Sequence, residues 1–251
     1  MCLLFLNQIT GTIPSEIGNL DKLSWIDIKH NQIAGTIPEV LFSNLDLTHV
    51  ILKNNFLSGT IPKRVGDLSK LMYIDMDNNQ ITGAIPEEFY SNLDLQWVHL
   101  KNNSLSGIIS DRIGYLSKIA YFWTSSNNLL GTIPTTFGYC INLKWLELQN
   151  NNLSGPIPEE FGNMKSIINL YARSNDLTGT MPSELFSDNI TNLHLNNNQL
   201  SGPIPENYGQ SWRLETLWLN DNRLTGTLPI IAEGELSYLG ECISVYPTTR
   251  V

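Results

Sequence analysis

Cysteine, basic residues and long apolar runs are scarce in this chain, and each scarcity closes a class of function. Only three cysteines occur in 251 residues, Cys2, Cys140 and Cys242, far apart in sequence. No CxxC pair exists, so neither a zinc site nor a disulfide framework is readable, and Cys140 reads as a small packing residue. Charged residues make up 16% of the chain, below the usual quarter, and the net charge is −9. No Lys/Arg stripe breaks that acidity, which excludes a nucleic-acid binder and a membrane-surface helix. The negative charge serves solubility. No run approaches the ~20 apolar residues of a membrane span. The apolar start, Met1-Cys2-Leu3-Leu4-Phe5-Leu6, is too short for a signal-peptide core and has no basic leader. It fits the tail of a repeat whose beginning is missing, so the chain reads as a piece of a longer protein or as a gene product that lacks its cap.

Catalytic signatures are also missing. There is no GxSxG, P-loop or Gly-rich phosphate motif. Asp27 and Asp75 fall in one strand column two strands apart, roughly 9–10 Å, with Ile51 between them, and read as solvated surface groups. The four histidines sit in different columns on mostly non-adjacent strands and form no metal set. The expectation is a protein that is not an enzyme and carries no metal or cofactor.

What the chain has is repetition. Ten copies of Asn-x-Leu-x-Gly-x-Ile-Pro, in varying completeness, place their glycines at Gly11, Gly35, Gly59, Gly83, Gly107, Gly131, Gly155, Gly179, Gly202 and Gly226. Eight of the nine intervals are 24 residues and one is 23. That period is a solenoid signature: each unit buries its apolar face only against its neighbours. The solenoid is assigned to residues 1–229, with the first repeat incomplete. Residues 230–251 lose the phase and are expected to form a partial last coil, a cap or a tail.

Upstream of each phrase runs Leu-x-x-Leu-x-Leu-x-x-Asn, clearest at Leu143, Leu146, Leu148 and Asn151. The alternation has period two, so it predicts a short strand with one buried face. Strands one repeat apart stack in parallel and leave their other face open or occupied by a partner. The asparagines Asn31, Asn55, Asn79, Asn103, Asn127, Asn151, Asn175, Asn198 and Asn222 end these strands. An amide offers donors and an acceptor, so they are assigned a structural ladder between coils. The return segment, Ile-Pro-x-x-Φ-Gly, has an aromatic in place of glycine at Phe42, Tyr90 and Phe186. Ser110 replaces the usual proline, and Thr124 and Ala172 replace a strand leucine, so the middle coils are expected to be less regular.

The composite Leu-x-x-Leu-x-Leu-x-x-Asn-x-Leu-x-Gly-x-Ile-Pro resembles the plant-type leucine-rich repeat family, which includes receptor-like kinase and receptor-like protein ectodomains and polygalacturonase-inhibiting proteins. The resemblance implies an α/β-type, β-rich leucine-rich repeat solenoid, a curved right-handed superhelix. Its concave side is a parallel sheet, its convex side carries short helical or 3-10 segments, and ligands bind on the concave or lateral surface. The chain departs from whole members in lacking cysteine-bearing caps, a membrane span and a kinase.

Strand residues facing away from the core carry the functional reading. Five of the six tryptophans fall in two outward columns. The densest stretch is Trp97, His99, Tyr121, Trp123, Trp145 and Tyr171, with Tyr73 beside it and Lys101, Lys144, Glu147 and Arg173 around it. Stacked rings stabilise a sheet by ~0.2–1 kcal/mol per pair, but an exposed aromatic patch of this extent marks contact. Removing Trp123 or Trp145 is expected to weaken partner binding and leave thermal stability nearly intact. Nine strands at ~4.8 Å span roughly 38 Å, long enough for an extended peptide or a protein edge.

Asn102, Asn152 and Asn189 head Asn-x-Ser/Thr triplets and are candidate N-glycosylation sites. With the resemblance, they point to an extracellular or cell-surface setting. The expected function is recognition of a protein or peptide ligand by a receptor-like module, with a co-receptor or a homodimer as further partner. The alternatives are a secreted inhibitor of a cell-wall polysaccharide hydrolase, and an adhesion protein binding glycan or an ordered surface.

Overall fold

The structure, a computed structural model, describes residues 1–211 and 213–228. The coil expected over 230–251, with Cys242, lies outside the described residues. One short strand per coil, from Cys2–Leu3 to Thr216–Trp218, builds a ten-stranded parallel sheet in sequence order. Pairing is strictly one coil on: Tyr121 faces Trp97 on one side and Trp145 on the other. The middle residue of each strand, such as Val98, Phe122, Leu146 and Leu170, is buried. Thr124 and Ala172 do not disturb this order. Both are buried and keep the inner-sheet hydrogen bonds, Thr124 N–H to Glu147 O and Ala172 N–H to His194 O, both at 2.9 Å. The expected irregularity of the middle coils falls on the flank instead, where pairing beyond Ser104–Ser106 drops to the isolated bridges Ile108–Leu130 and Thr132–Ser154.

A second sheet was not foreseen. Strands Thr10–Thr12, Gln32–Thr36, Phe56–Thr60, Gln80–Ala84 and Ser104–Ser106 pair in parallel along the flank, within the repeated phrase itself. The phrase glycine makes this possible. Gly59 has φ +75°, and a Cβ there would stand 2.8 Å from Thr36 Cγ2 of the preceding coil. Glycine is required both for the left-handed backbone and for the close approach.

The chain returns through 3-10 helices such as Lys63–Asp67, most of them after the Ile-Pro dipeptide. Proline fits because a helix start leaves its N–H unused. At Ser110 a serine replaces it and uses that freedom. Its hydroxyl accepts from Arg112 N–H at 3.2 Å, and its own N–H donates to the Tyr90 hydroxyl at 3.4 Å. In the aromatic-type coils Phe42 and Tyr90 fill the core, while Asn44 and Asn92 take the position where the glycine-type coil has Leu68. Asn44 compensates its burial by donating to Leu41 O and Ile17 O at 3.1 and 3.2 Å.

The strand-ending asparagines bond in one pattern. Asn151 Nδ2 donates to Thr124 O and Leu148 O, both at 3.0 Å, and to Gln149 O at 3.4 Å. Its Oδ1 accepts from Leu129 N–H at 3.0 Å. Thr124 belongs to the preceding coil, so each amide clips two coils together.

In the glycine-type coil of Gly66 the return turn leaves no room for a side chain. A Cβ at Gly66 would lie 2.3 Å from the Glu88 carbonyl oxygen of the next coil. Gly66→Ala is therefore expected to force the two coils apart and cost about 1–3 kcal/mol. A thermal melt superimposable on that of the parent would contradict this packing.

Candidate functional site

The open face of the ten-stranded sheet carries the first and third residues of each strand. Its rings touch one another in an unbroken series. Trp25 stacks on His49 with centroids 3.8 Å apart, and His49 leads to Tyr73 at 5.8 Å. Tyr73 meets His99 edge-on at 5.4 Å, and His99 stacks on Trp123 at 3.9 Å. Trp123 meets Trp145 at 5.3 Å and Trp145 meets Tyr171 at 5.9 Å, both T-shaped. Tyr171, His194 and Trp218 close the series, stacked at 4.5 and 3.9 Å. Trp97 and Tyr121 run beside it, 6.3 Å apart. Parallel in-register strands bring every coil's ring to the same height, which is why sequence columns become spatial rows.

Most of these rings are half-buried by one another and present the remainder to solvent; Trp218 is 39% exposed. None of the described helices covers them; these lie on the return side. The stacking modifies one expectation. Each ring contact is worth about 0.5–1.5 kcal/mol, so removing Trp123 or Trp145 also lowers stability.

Charged groups on this face are largely paired. Lys29 reaches Asp27 at 3.0 Å, Lys53 reaches Asp75 at 3.1 Å and Lys101 reaches Asp77 at 3.6 Å. Lys101 also lies 4.6 Å above the Trp123 ring. The buried Glu147 accepts from Ser125 Oγ at 3.1 Å and Gln149 Nε2 at 3.2 Å. Lys144 is exposed at the strand approach and Arg173 is half-buried beyond Tyr171.

Sequence reasoning about histidines alone missed a buried cluster. Asp75, Asp77 and His99 bring one ligand-type atom each within 4.8 Å of one another. The Tyr73 hydroxyl donates to Asp75 Oδ2 at 3.3 Å, and His99 Nδ1 is 3.9 Å from the same oxygen. Lys53 and Lys101 already sit on the two carboxylates, so the set is an ion-paired network in which a metal ion would have to displace two ammonium groups. The Asp-x-Asp spacing beside a histidine one repeat on was the available signal. Burial raises the Tyr73 phenol, and the Asp75 charge adds to that.

His194 sits between Tyr171 and Trp218, and its pKa is lowered to about 4 by burial and then by the Arg173 charge. The unfolded chain therefore binds more protons between pH 4 and 6.5. The stability that this stacked neutral ring supplies is complete above pH 6.5 and is lost as pH falls towards 4. Two-dimensional NMR of the ring is expected to find His194 still neutral at pH 5. A midpoint near 6.5 would contradict the sandwich.

The turn leaving each inner strand holds a second unforeseen column. Asn54, Asn78, Asn102 and Asn150 adopt φ between +53° and +56°. Asparagine tolerates that left-handed region, so in each Asn-Asn doublet the first makes the turn and the second the ladder. Of the triplet asparagines, Asn152 is exposed. Asn102 is exposed as well and donates to Asn78 Oδ1 at 2.6 Å, while Asn189 is half-buried and donates to Lys165 O at 2.6 Å.

Leucine rich repeat family models match residues 125–177, and residues 70–92, 94–116, 189–210 and 213–233. Together they span more than half of the chain. No curated protein matches it. Among solved structures, the plant peptide hormone receptor RGFR1, in complex with RGF2, is 33% identical with TM-score 0.88, covering 88% of this chain and 36% of that one. The Arabidopsis receptor kinase HAESA, in complex with the peptide hormone IDA and the co-receptor SERK1, is 31% identical with TM-score 0.74, covering 89% and 42%. A plant ice-binding protein is 28% identical with TM-score 0.80, covering 92% and 74%. The chain thus spans about a third of the length of the first of these receptors. No described helix is long and apolar enough to cross a membrane. Repeat phrase, inner sheet and asparagine ladder agree with these matches: the chain belongs to the plant-type leucine-rich repeat family.

Proposed function

We propose that this solenoid is a non-catalytic recognition module that holds an extended peptide or a protein edge along its ring-lined face. The continuous half-exposed ring series from Trp25 to Trp218 carries the reading, because outward rings do not serve the core. Tyr73, Trp97, Tyr121, Trp123, Trp145 and Tyr171 supply contact area. His99, Lys101, Glu147 and Arg173 supply polar direction. The similar receptor ectodomains bind peptide hormones, which supports the same ligand class here. The module works at the cell surface or outside the cell, glycosylated at Asn102, Asn152 or Asn189, as part of a membrane-associated signalling receptor with a co-receptor or a second copy. The test is selection of displayed peptides on the immobilised chain, repeated with Tyr121, Trp123 and Trp145 replaced by alanine. Selection by the parent and not by the variant supports the reading; equal selection defeats it.

A second reading, attachment to an ordered surface, is favoured by the flank. Thr12, Thr36 and Thr60 stand exposed at one position of successive outer strands, and those five strands carry no charged side chain. The likeness to a plant ice-binding protein supports it. A chain that halts ice recrystallisation yet selects no peptide favours this second reading over the first.

A further inference from the structure

Two buried carboxylates lie side by side at the centre of the open face. Asp75 is 0% and Asp77 3% exposed, and the Asp77 N–H donates to Asp75 Oδ1 at 3.2 Å. Neighbouring buried carboxylates do not both stay ionised unless each is compensated. Asp75 is compensated from three sides: by Lys53 of the preceding coil, by the Tyr73 hydroxyl and by His99 of the following coil. Asp77 has less. The Lys101 ammonium stands off at 3.6 Å and the Lys101 N–H donates at 2.8 Å, both from the following coil, while Lys53 acts from the preceding one.

We propose that Asp77 is a proton switch on this face: by taking up one proton it releases Lys101 to meet an anionic group of the ligand. The inference rests on the recognition reading and concerns how that face is regulated. The proton comes from solvent and stays on a carboxyl oxygen of Asp77. Lys101 is then left with the Trp123 ring alone, at 4.6 Å, and the face gains one positive charge. The asymmetry of the pair decides which acid responds. Burial pushes Asp77 up to about 7, and the Asp75 charge adds to it. Burial would raise Asp75 too, but the nearby His99 ring and the Lys53 charge outweigh it and hold its pKa below the ordinary value. The switch therefore turns near neutrality, with Lys101 bound to Asp77 above it and free below it.

The test is a carboxyl-carbon NMR titration of the full chain, with displayed peptides selected at pH 5.5 and pH 8.5. One aspartate is expected to titrate near pH 7 and to vanish in Asp77→Asn. Lys101→Met is expected to move that midpoint upward, because it removes a cation that favours the ionised form. Peptides selected at pH 5.5 are expected to be enriched in Asp and Glu relative to those selected at pH 8.5. Asp77→Asn, a stand-in for the protonated acid, gives that enrichment at both pH values, and Lys101→Met gives it at neither. The absence of any aspartate titrating above pH 6, or identical peptide composition at both pH values, overturns the switch. Failure of the recognition reading is distinct: no peptide is selected at either pH, while the titration still reports on Asp77.

Discussion

Asn151→Ala is expected to destabilise the solenoid by about 3 kcal/mol, far more than its few methylene-scale contacts suggest. The amide makes two good donor contacts and accepts one backbone N–H, and it bridges the coils of Thr124 and Leu148. Alanine orphans the buried Leu129 N–H and takes one of two amide donors from each of Thr124 O and Leu148 O, which keep Asn127 and Asn175. An orphaned buried donor costs about 1–3 kcal/mol, and the weakened carbonyls put this site at the upper end. A repeat array is held by its nearest-neighbour interfaces, so a broken clip between central coils splits the cooperative unit. Urea unfolding followed by far-UV circular dichroism is expected to show a lower midpoint and a broader or biphasic transition for Asn151→Ala. Asn152→Ala, one residue along and exposed, is expected to unfold like the parent. Equal curves for the two variants would remove the ladder from the account.

Trp123→Ala combined with Trp145→Ala is expected to lower affinity for a selected peptide by at least about 30-fold, the effect of losing roughly 2 kcal/mol at a contact hot spot. The same pair of changes also loosens the sheet, because Trp123 touches His99, Tyr121 and Trp145. The two effects separate by measuring affinity well below the variant's melting temperature. If the rings only brace the sheet, the folded variant binds its peptide as tightly as the parent does. If they form the contact surface, affinity falls while circular dichroism at the assay temperature remains native.

Much of this fold is legible in the residues because the period is a physical constraint. Leu146 must enter the core where Phe122 does, since parallel coils have no other place to bury it. The ladder role of Asn127 and Asn151 follows from where an amide falls at the end of a buried strand. The outward columns were legible for the same reason, as alternation fixes which side Trp97 and Trp145 take. The second sheet was hidden because its strands straddle Gly35, Gly59 and Gly83, and a glycine reads as a turn until the close approach of Thr12, Thr36 and Thr60 is known. The Asp75–Asp77–His99 network was hidden by a different cause. It joins two residues of one coil to one of the next and depends on Lys53 and Lys101 reaching in from both sides. Spacing within a column does not reveal burial, and burial is what makes the pair titrate apart.

Hydroxyl-radical footprinting of the free and peptide-bound chain tests the central claim most directly. In the free protein, Trp97, Trp123, Trp145 and Tyr171 are expected to oxidise readily, and bound peptide is expected to protect them as a contiguous set. Tyr115 and Tyr139, exposed on the helix side, are expected to oxidise equally in both states. Rings that stay unreactive in the free chain, or protection that falls on Tyr115 and Tyr139 instead, would contradict a binding surface along the inner sheet.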